Sequence, residues 1–460
     1  MTTLATFMAA LDSNIVAIAL PKISVDLSVG FSLLGWVLTG YLLAIAALSV
    51  QAGKIGDTYG RKKIYLLGFF VFGISSALCG ISQSITELIA FRVVQGASAA
   101  LLFSVSRPLL FEFFSSKQIG FALGINAAAW SVGSVAGPVI GGILVTLDWR
   151  LVFYVNVPIA GVAILIASKK IPSKKSSISI GVGLRGINPA SSVLLAIAVS
   201  MILLWLSFFV STFAVIGLLV VIPLVINENK SAEPLLHRDL RNSRGFVYSM
   251  FAIGALMAGN GGLAFAMSFY YQSVSNLPPD LSGVLIAPVS LALAITSVVS
   301  GRLYGMIRSP TLLAVIGTLL AGAGLLALGI AIMNHSPIWY TAALLFVIGF
   351  GGGFFWTPTL TTALRFSKPE LTGAASGAFS MFVVIGTAVS VAVTIAVSAA
   401  FLPQSVVSQL YLGSIANLNV PQVDMFRQGI GQSVLILGMI EILSIPILLL
   451  VHRQRDALRM

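Results

Sequence analysis

QIGFALGINAAAWSVG (residues 118–133) and LTGAASGAFSMFVVIG (residues 371–386) are one element written twice. Gly120, Gly124 and Gly133 recur as Gly373, Gly377 and Gly386, each 253 residues later. Gly96 and Gly349 keep the same offset. Isolated matches are easy in a chain with 44 glycines, but four in one register across 38 residues are not. A register shared by two apolar segments and the loop between them makes the chain a duplicated helical unit. Duplicated six-span bundles are a transporter architecture, with the substrate site near the bilayer midplane between the halves.

Composition sets the solvent. The chain has 460 residues, 58% hydrophobic and 9% charged, with a mean hydropathy of +1.02. Soluble domains carry about 25% charged residues. Apolar runs of about 20 residues predict spanning helices and exclude spanning strands, which need only roughly 10 alternating residues. The uncharged start MTTLATFMAA runs straight into an apolar helix, so no cleavable signal is expected. The single cysteine, Cys79, allows no disulfide within the chain. The net charge is +12, yet 22 of the 26 Lys and Arg lie in alternate helix-breaking segments and the tail. That is the positive-inside pattern, and no nucleic-acid partner is needed to explain it.

Fourteen spans are predicted, at about 4–22, 33–53, 64–82, 86–107, 119–146, 151–168, 190–208, 211–227, 245–271, 282–301, 311–333, 338–362, 372–401 and 429–451. Residues 190–227 carry no charge. As one helix they would extend about 55 Å against about 30 Å of hydrocarbon. Two spans turning near Ser207–Ser211 satisfy both length and the basic flanks; a re-entrant hairpin is the alternative. An even number of spans puts both termini on the cytoplasmic side with the basic loops. The expected division is a first six-helix bundle (1–168), a linker with two extra spans (169–244) and a second bundle (245–460).

Three ionisable residues stand at membrane depth. Asp12 is set in MAALDSNIVAIALP (8–21), Arg92 in RVVQGASAA (92–100) and Glu441 in LGMIEILSIP (437–446). An embedded ionisable group faces the bundle interior and marks an ion or proton pathway by default; for Glu441 a structural hydrogen bond to a neighbouring helix is the alternative. Gln95 shares a helical face with Arg92. Arg92, about six residues from a helix end, could instead snorkel outward. In GSVAGPVIGG (133–142), Gly133, Gly137, Gly141 and Gly142 are expected to line one face, with Pro138 kinking the helix. GKIGDTYGRKK (53–63) reads as a tight basic loop built on Gly53, Gly60, Arg61 and the acid Asp57. His237, His335 and His452 show no metal spacing. GFGGGFF (349–355) is no phosphate loop, for it lacks the GK[ST] ending.

These motifs carry a resemblance. GKIGDTYGRKK resembles the loop signature of the major facilitator superfamily, and GRLYGMIR (301–308) is similar to its degraded second copy. The resemblance implies that Gly53, Asp57, Gly60 and Arg61 form a latch between the cytoplasmic ends of the two halves, with Asp57 near Arg302 or the following helix end. RVVQGASAA resembles the family's fourth-span motif, whose arginine is tied to proton coupling. The Gly-Pro segment resembles the fifth-span motif of the exporters. Leu11, Asp12, Val16, Ala19, Leu20 and Pro21 match the first-span motif of the fourteen-span drug:proton antiporters. Asn14 and Ala17 replace that motif's threonine and asparagine.

The expectation is an all-α membrane protein, two six-helix bundles plus two central helices, not an enzyme. It would export small amphipathic molecules, drugs or toxic compounds, in exchange for protons across the cell membrane. Asp12, Arg92 and Glu441 would couple protons. Trp36, Tyr41, Gln95, Trp130, Tyr271, Trp356 and Phe379 would line the chamber. No cofactor, metal or nucleic acid is expected; partners are substrate, protons and lipid, and the chain acts as a monomer. The alternative is a metabolite uniporter or proton symporter of the same fold.

Overall fold

A computed structural model describes residues 2–113, 119–171, 188–208, 211–231, 234–306, 310–366, 371–403 and 419–457. No strand occurs among them. The first six spans are α1 (Thr2–Asp26), α2 (Phe31–Tyr59), α3 (Arg61–Ile81), α4 (Ile85–Phe113), α5 (Ile119–Leu147) and the pair α6 (Leu151–Tyr154) and α7 (Asn156–Lys170). The extra pair is α8 (Pro189–Phe208) and α9 (Ser211–Lys230), followed by the short α10 (Arg238–Asn242). The last six are α11 (Arg244–Asn260) with α12 (Leu263–Phe269), α13 (Pro279–Met306), α14 (Pro310–Met333), α15 (Ile338–Arg365), α16 (Thr372–Ala400), and α17 (Val420–Leu443) with α18 (Ile445–Ala457). Thirteen described segments are long and apolar enough to cross a membrane, and Pro189–Trp205 of α8 is a shorter apolar helix. The chain is a multi-pass membrane protein.

The duplication is visible in the packing. A side chain on Gly96 of α4 would strike the Tyr41 carbonyl of α2, and one on Gly349 of α15 would strike the Val289 carbonyl of α13. Gly133 of α5 meets the Phe7 carbonyl of α1, and Gly386 of α16 meets the Gly254 carbonyl of α11. These two repeated pairs therefore bring two backbones together at the same place in each half. Small residues do this in membranes because packing, not water exclusion, holds helices together there.

Four expectations need correction. The basic "loop" 53–63 is helix up to Tyr59; the chain turns at one residue, Gly60, whose φ of 97° suits glycine alone. Span nine is not one helix: it breaks at Gly261–Gly262 and ends in a π turn, Tyr270–Val274. The loop 402–428 is shorter than expected, because α17 starts at Val420. Asn419 and Gln422 form a capping box there, each side chain accepting from the other's backbone N–H at 3.1 and 2.8 Å. The polar VPQVDMFRQ had hidden this turn from a hydropathy reading. The same helix then breaks at Ser444, two residues before Pro446, which has no N–H to offer.

The extra pair lies on the seam between the halves. Leu203 of α8 packs with Leu43 of α2 and with Ala388 and Ala392 of α16. A polar cluster clasps its ends. Asn227 donates to Asn188 Oδ1 and Ser191 Oγ, Ser191 donates to Glu228, and Gln51 of α2 donates to the Asn188 carbonyl at 3.0 Å. Glu228 in turn accepts from the backbone of Leu235 and Leu236.

The hydrophobic core differs between the two membrane faces. On the face away from the basic segments, one cluster takes Ile15, Ile18, Ile23 and Leu34 from the first half with Phe265, Tyr271, Ile286 and Ile395 from the second. On the basic face the cores are separate. Tyr65, Phe69, Leu109 and Ile171 belong to one, which takes in Val384 of α16 from the second half and is touched by Met381 and Ile385. Phe246, Ile253, Phe355 and Leu448 belong to the other.

Gly60→Ala should lower apparent thermal stability in detergent by about 1–3 kcal/mol, the cost of a side chain in that backbone region. Gly161→Ala is the control, since nothing lies within 4 Å of a Cβ there. Equal melting of the two variants would show that the turn at Gly60 does not depend on glycine.

Candidate functional site

Asp12 sits midway along α1 and is 0% exposed, as is Arg92. The two are joined: Arg92 Nη1 donates to Asp12 Oδ2 at 2.7 Å. Snorkelling is thereby excluded for Arg92. The other carboxylate oxygen, Oδ1, accepts from the Gln95 amide at 3.2 Å and from the Asn156 amide at 2.9 Å. Arg92 is held independently of Asp12. Its Nε donates to the Val37 carbonyl at 3.1 Å, its Nη1 donates to Gln95 Oε1 at 2.6 Å, and its guanidinium lies 4.1 Å over the Tyr41 ring. Buried charges persist in hydrocarbon only when paired and hydrogen-bonded in this way.

Asn156 and Ser76 were not foreseen. Ser76 Oγ accepts from both the Gln95 and Asn156 amides, at 3.1 and 3.2 Å, and donates to the Phe153 carbonyl at 2.8 Å. The short α6 and the turn at Val155 aim Asn156 inward. Its signal was available: it is the one amide in the span 151–168. The Cys79 thiol also reaches Gln95 Oε1, at 3.8 Å. One carboxylate thus gathers side chains from α1, α3, α4 and α7, and Arg92 adds α2.

The glycines of α5 hold the opposite side of α1. A Cβ on Gly133 would come within 2.5 Å of the Phe7 carbonyl; one on Gly137, within 2.7 Å of Asn14 Cβ; one on Gly141, within 2.8 Å of Ile15. Gly142 does not share this face, contrary to expectation. It turns instead to α13, where a Cβ would lie 2.5 Å from the Pro279 carbonyl, and Gly283 of α13 returns the contact at the Pro138 carbonyl. Four residues separate Gly133, Gly137 and Gly141, about one helical turn each, whereas Gly142 is rotated about 100° further. The Gly-Pro motif therefore joins α1 on one face and the second half on the other.

The other expected residues are scattered. Glu441 is fully buried against Gly259 of α11, apart from the Asp12 cluster, and neither carboxyl oxygen has a hydrogen-bond partner among the described residues. Tyr41 and Gln95 belong to the Asp12 cluster. Tyr271 packs in the core shared by the halves, its hydroxyl 2.9 Å from Thr341 Oγ1. Trp356 and Phe379 meet edge to face at 5.7 Å, and Trp130 lies 6.3 Å from Phe103. Trp36 is half-buried beside the α2–α16 seam. Gly53 and Arg61 are half-buried and Arg302 is exposed, but the side chain of Asp57 lies outside the described residues. No group of three metal-ligating side chains occurs among the described residues.

Residues 2–391 match the family model described as Major Facilitator Superfamily. The chain belongs to that superfamily. Its members are transporters, not enzymes, that bind small-molecule substrates within the membrane. The transporter is 33% identical over 390 residues to an MFS-type transporter of Mycobacterium tuberculosis, across 81% of its own length and 65% of the relative's. It thus spans a little under two thirds of that relative. The multidrug transporter protein MdtP of Bacillus subtilis is 32% identical, over 80% of this chain and 69% of MdtP. The riboflavin transporter RibZ of Clostridioides difficile is 27% identical, over 80% of each. Among solved structures, a bacterial homolog to the human lysosomal transporter Spinster superposes with a TM-score of 0.71 at 14% identity, covering 98% of this chain and 96% of that one. That likeness bears on the fold.

Arg92→Gln leaves the Asp12 carboxylate buried without its cation, so it should cost about 3–5 kcal/mol. Adding Asp12→Asn should recover part of that loss, because a neutral amide needs no counter-charge. Thermal unfolding of the singles and the double in detergent checks this. Simple additivity would mean that the pair contributes no coupling.

Proposed function

We propose that the transporter is a proton-coupled exporter of the fourteen-span drug:proton antiporter kind, exchanging protons for small amphipathic molecules, drugs or toxic compounds among them. The observation that carries this reading is the fully buried Asp12–Arg92 pair. The multidrug transporter among its relatives supports the substrate class. The basic face is taken as cytoplasmic, with both termini on it and the chain in the cell membrane. Functional units follow the division 1–168, 169–244 and 245–460. The half-buried aromatics Trp36, Trp130 and Trp356, with Phe379, are assigned to the chamber, and Gly53, Asp57, Gly60 and Arg61 to the cytoplasmic latch.

The chemistry follows from the asymmetry of the pair. An ionised Asp12 accepts three hydrogen bonds and fastens α1 to α4 and α7. A proton on Asp12 cancels its charge and weakens that hold. Arg92 keeps its bonds to Val37 and Gln95 and its place over Tyr41 without help from α1, so those contacts do not require it to follow α1. Two arrangements of α1 are then compatible with these arginine contacts. Separate cores on the basic face and a fused core on the other fit a chamber open to the cytoplasm, ready to take substrate. One proton moving inward releases about 1.4 kcal/mol per pH unit and about 2.3 kcal/mol per 100 mV. Together they sustain a substrate gradient of roughly several hundredfold.

A metabolite carrier of the same fold is the second reading, favoured by the riboflavin transporter among the relatives. Direction of flux separates the two. Cells loaded with fluorescent amphipathic dyes should expel them against a gradient, and a protonophore should abolish this. Asp12→Asn should lose uphill export while keeping downhill exchange. A variant that pumps as well as the parent would place the coupling proton elsewhere.

A further inference from the structure

Glu441 lies where two interrupted helices meet. On its own span, α17 stops at Leu443, and the Ser444 amide and hydroxyl both donate to the Glu441 carbonyl, at 3.2 and 2.6 Å. Opposite it, α11 ends at Asn260 and the chain bends through Gly261 and Gly262 before α12. Gly259, two residues before that bend, touches the Glu441 carboxyl. Broken spans facing each other across a polar residue are how transporters house coupling ions. The carboxyl itself is 0% exposed and has no hydrogen-bond partner at either oxygen among the described residues.

No charge faces it from its neighbours. α12, α14 and α16 contain no ionisable side chain. Arg244 and Tyr248 of α11 precede Gly259 by 15 and 11 residues, roughly 22 and 16 Å along a helix. Tyr270 and Tyr271 of the π turn begin 11 residues beyond Gly259, and His452, Arg453, Arg455 and Asp456 of α18 begin 11 residues beyond Glu441. A carboxylate so placed has no counter-charge, and removing it from water without one costs several kcal/mol. A metal ion would need several convergent oxygens, and this site offers one carboxyl against a glycine. A proton needs no cavity and no further ligand.

We propose that Glu441 is a second proton-carrying carboxyl of the transport cycle, so that two protons exchange for each substrate molecule. This rests on the antiporter reading. Asp12 works the switch, and Glu441 adds driving force from the second half.

Coupling ratio is the test. The parent chain and Glu441→Gln are reconstituted in phosphatidylethanolamine–phosphatidylglycerol vesicles with ethidium as the probe. Potassium and valinomycin hold the membrane potential at zero, and the imposed pH difference is one unit. Each coupled proton then sustains about a tenfold ethidium gradient. The parent should reach about 100-fold, Glu441→Gln about tenfold, and Glu441→Asp should restore the parent limit. A Glu441→Gln gradient equal to the parent's overturns the proposal while leaving the antiporter reading intact. So does a parent limit of about tenfold, even if the variant does not fold. A parent that builds no gradient overturns the antiporter reading and this proposal with it.

Discussion

A carboxylate and a guanidinium, neither touching solvent, must satisfy each other inside the bilayer. That requirement organises the first half of the molecule. Arg92 reaches α1 and α2 from α4, Gln95 joins α1 to α3, and Asn156 brings in α7. Removing either charge leaves the other stranded in a low-dielectric interior, which is worse than having neither. The cluster therefore holds together only while both charges are present, and a change at Asp12 is felt by every helix it ties.

Helix α1 carries the consequence outward. One side is pressed against the glycines of α5, where any side chain would strike it. Six residues beyond Asp12, the Ile18 carbonyl accepts from Gln272 of the second half at 2.9 Å. That distance along α1 is about 9 Å. Asp12 and the contact between halves are thus joined by less than two turns of helix. The Pro138–Gly142 contact with α13 gives a second link across the same face. Both links lie where the hydrophobic core is continuous across the halves.

Much of this was legible in the sequence. Hydropathy and the basic loops located the spans, and the shared glycine offset revealed the duplication. Asp12 and Arg92 stood out because charge is rare in hydrocarbon. Arg92 could be named as a cation near Asp12, but the hydrogen bonds that fix the pair could not, since contact between residues 80 apart depends on how four helices meet. Asn156 and Ser76 escaped notice because amides and hydroxyls are common in spans and acquire meaning only through a partner. The early start of α17 was hidden by its polar first turns, which a capping box stabilises without apolar residues. Gly142 was misplaced because adjacent residues on a helix point about 100° apart, so a run of glycines need not form one face.

The central claim is that the protonation of Asp12 sets which face is open. The direct measurement is a pulsed electron–electron resonance distance between spin labels at Lys63 and Arg302, both exposed on the basic face of opposite halves. A Cys79→Ser background, reconstituted in lipid, keeps the labels specific. The account predicts that the parent's distance distribution shifts between two populations as pH is lowered, and that Asp12→Asn holds one population at every pH. An Asp12→Asn chain whose distances shift with pH as the parent's do would contradict it.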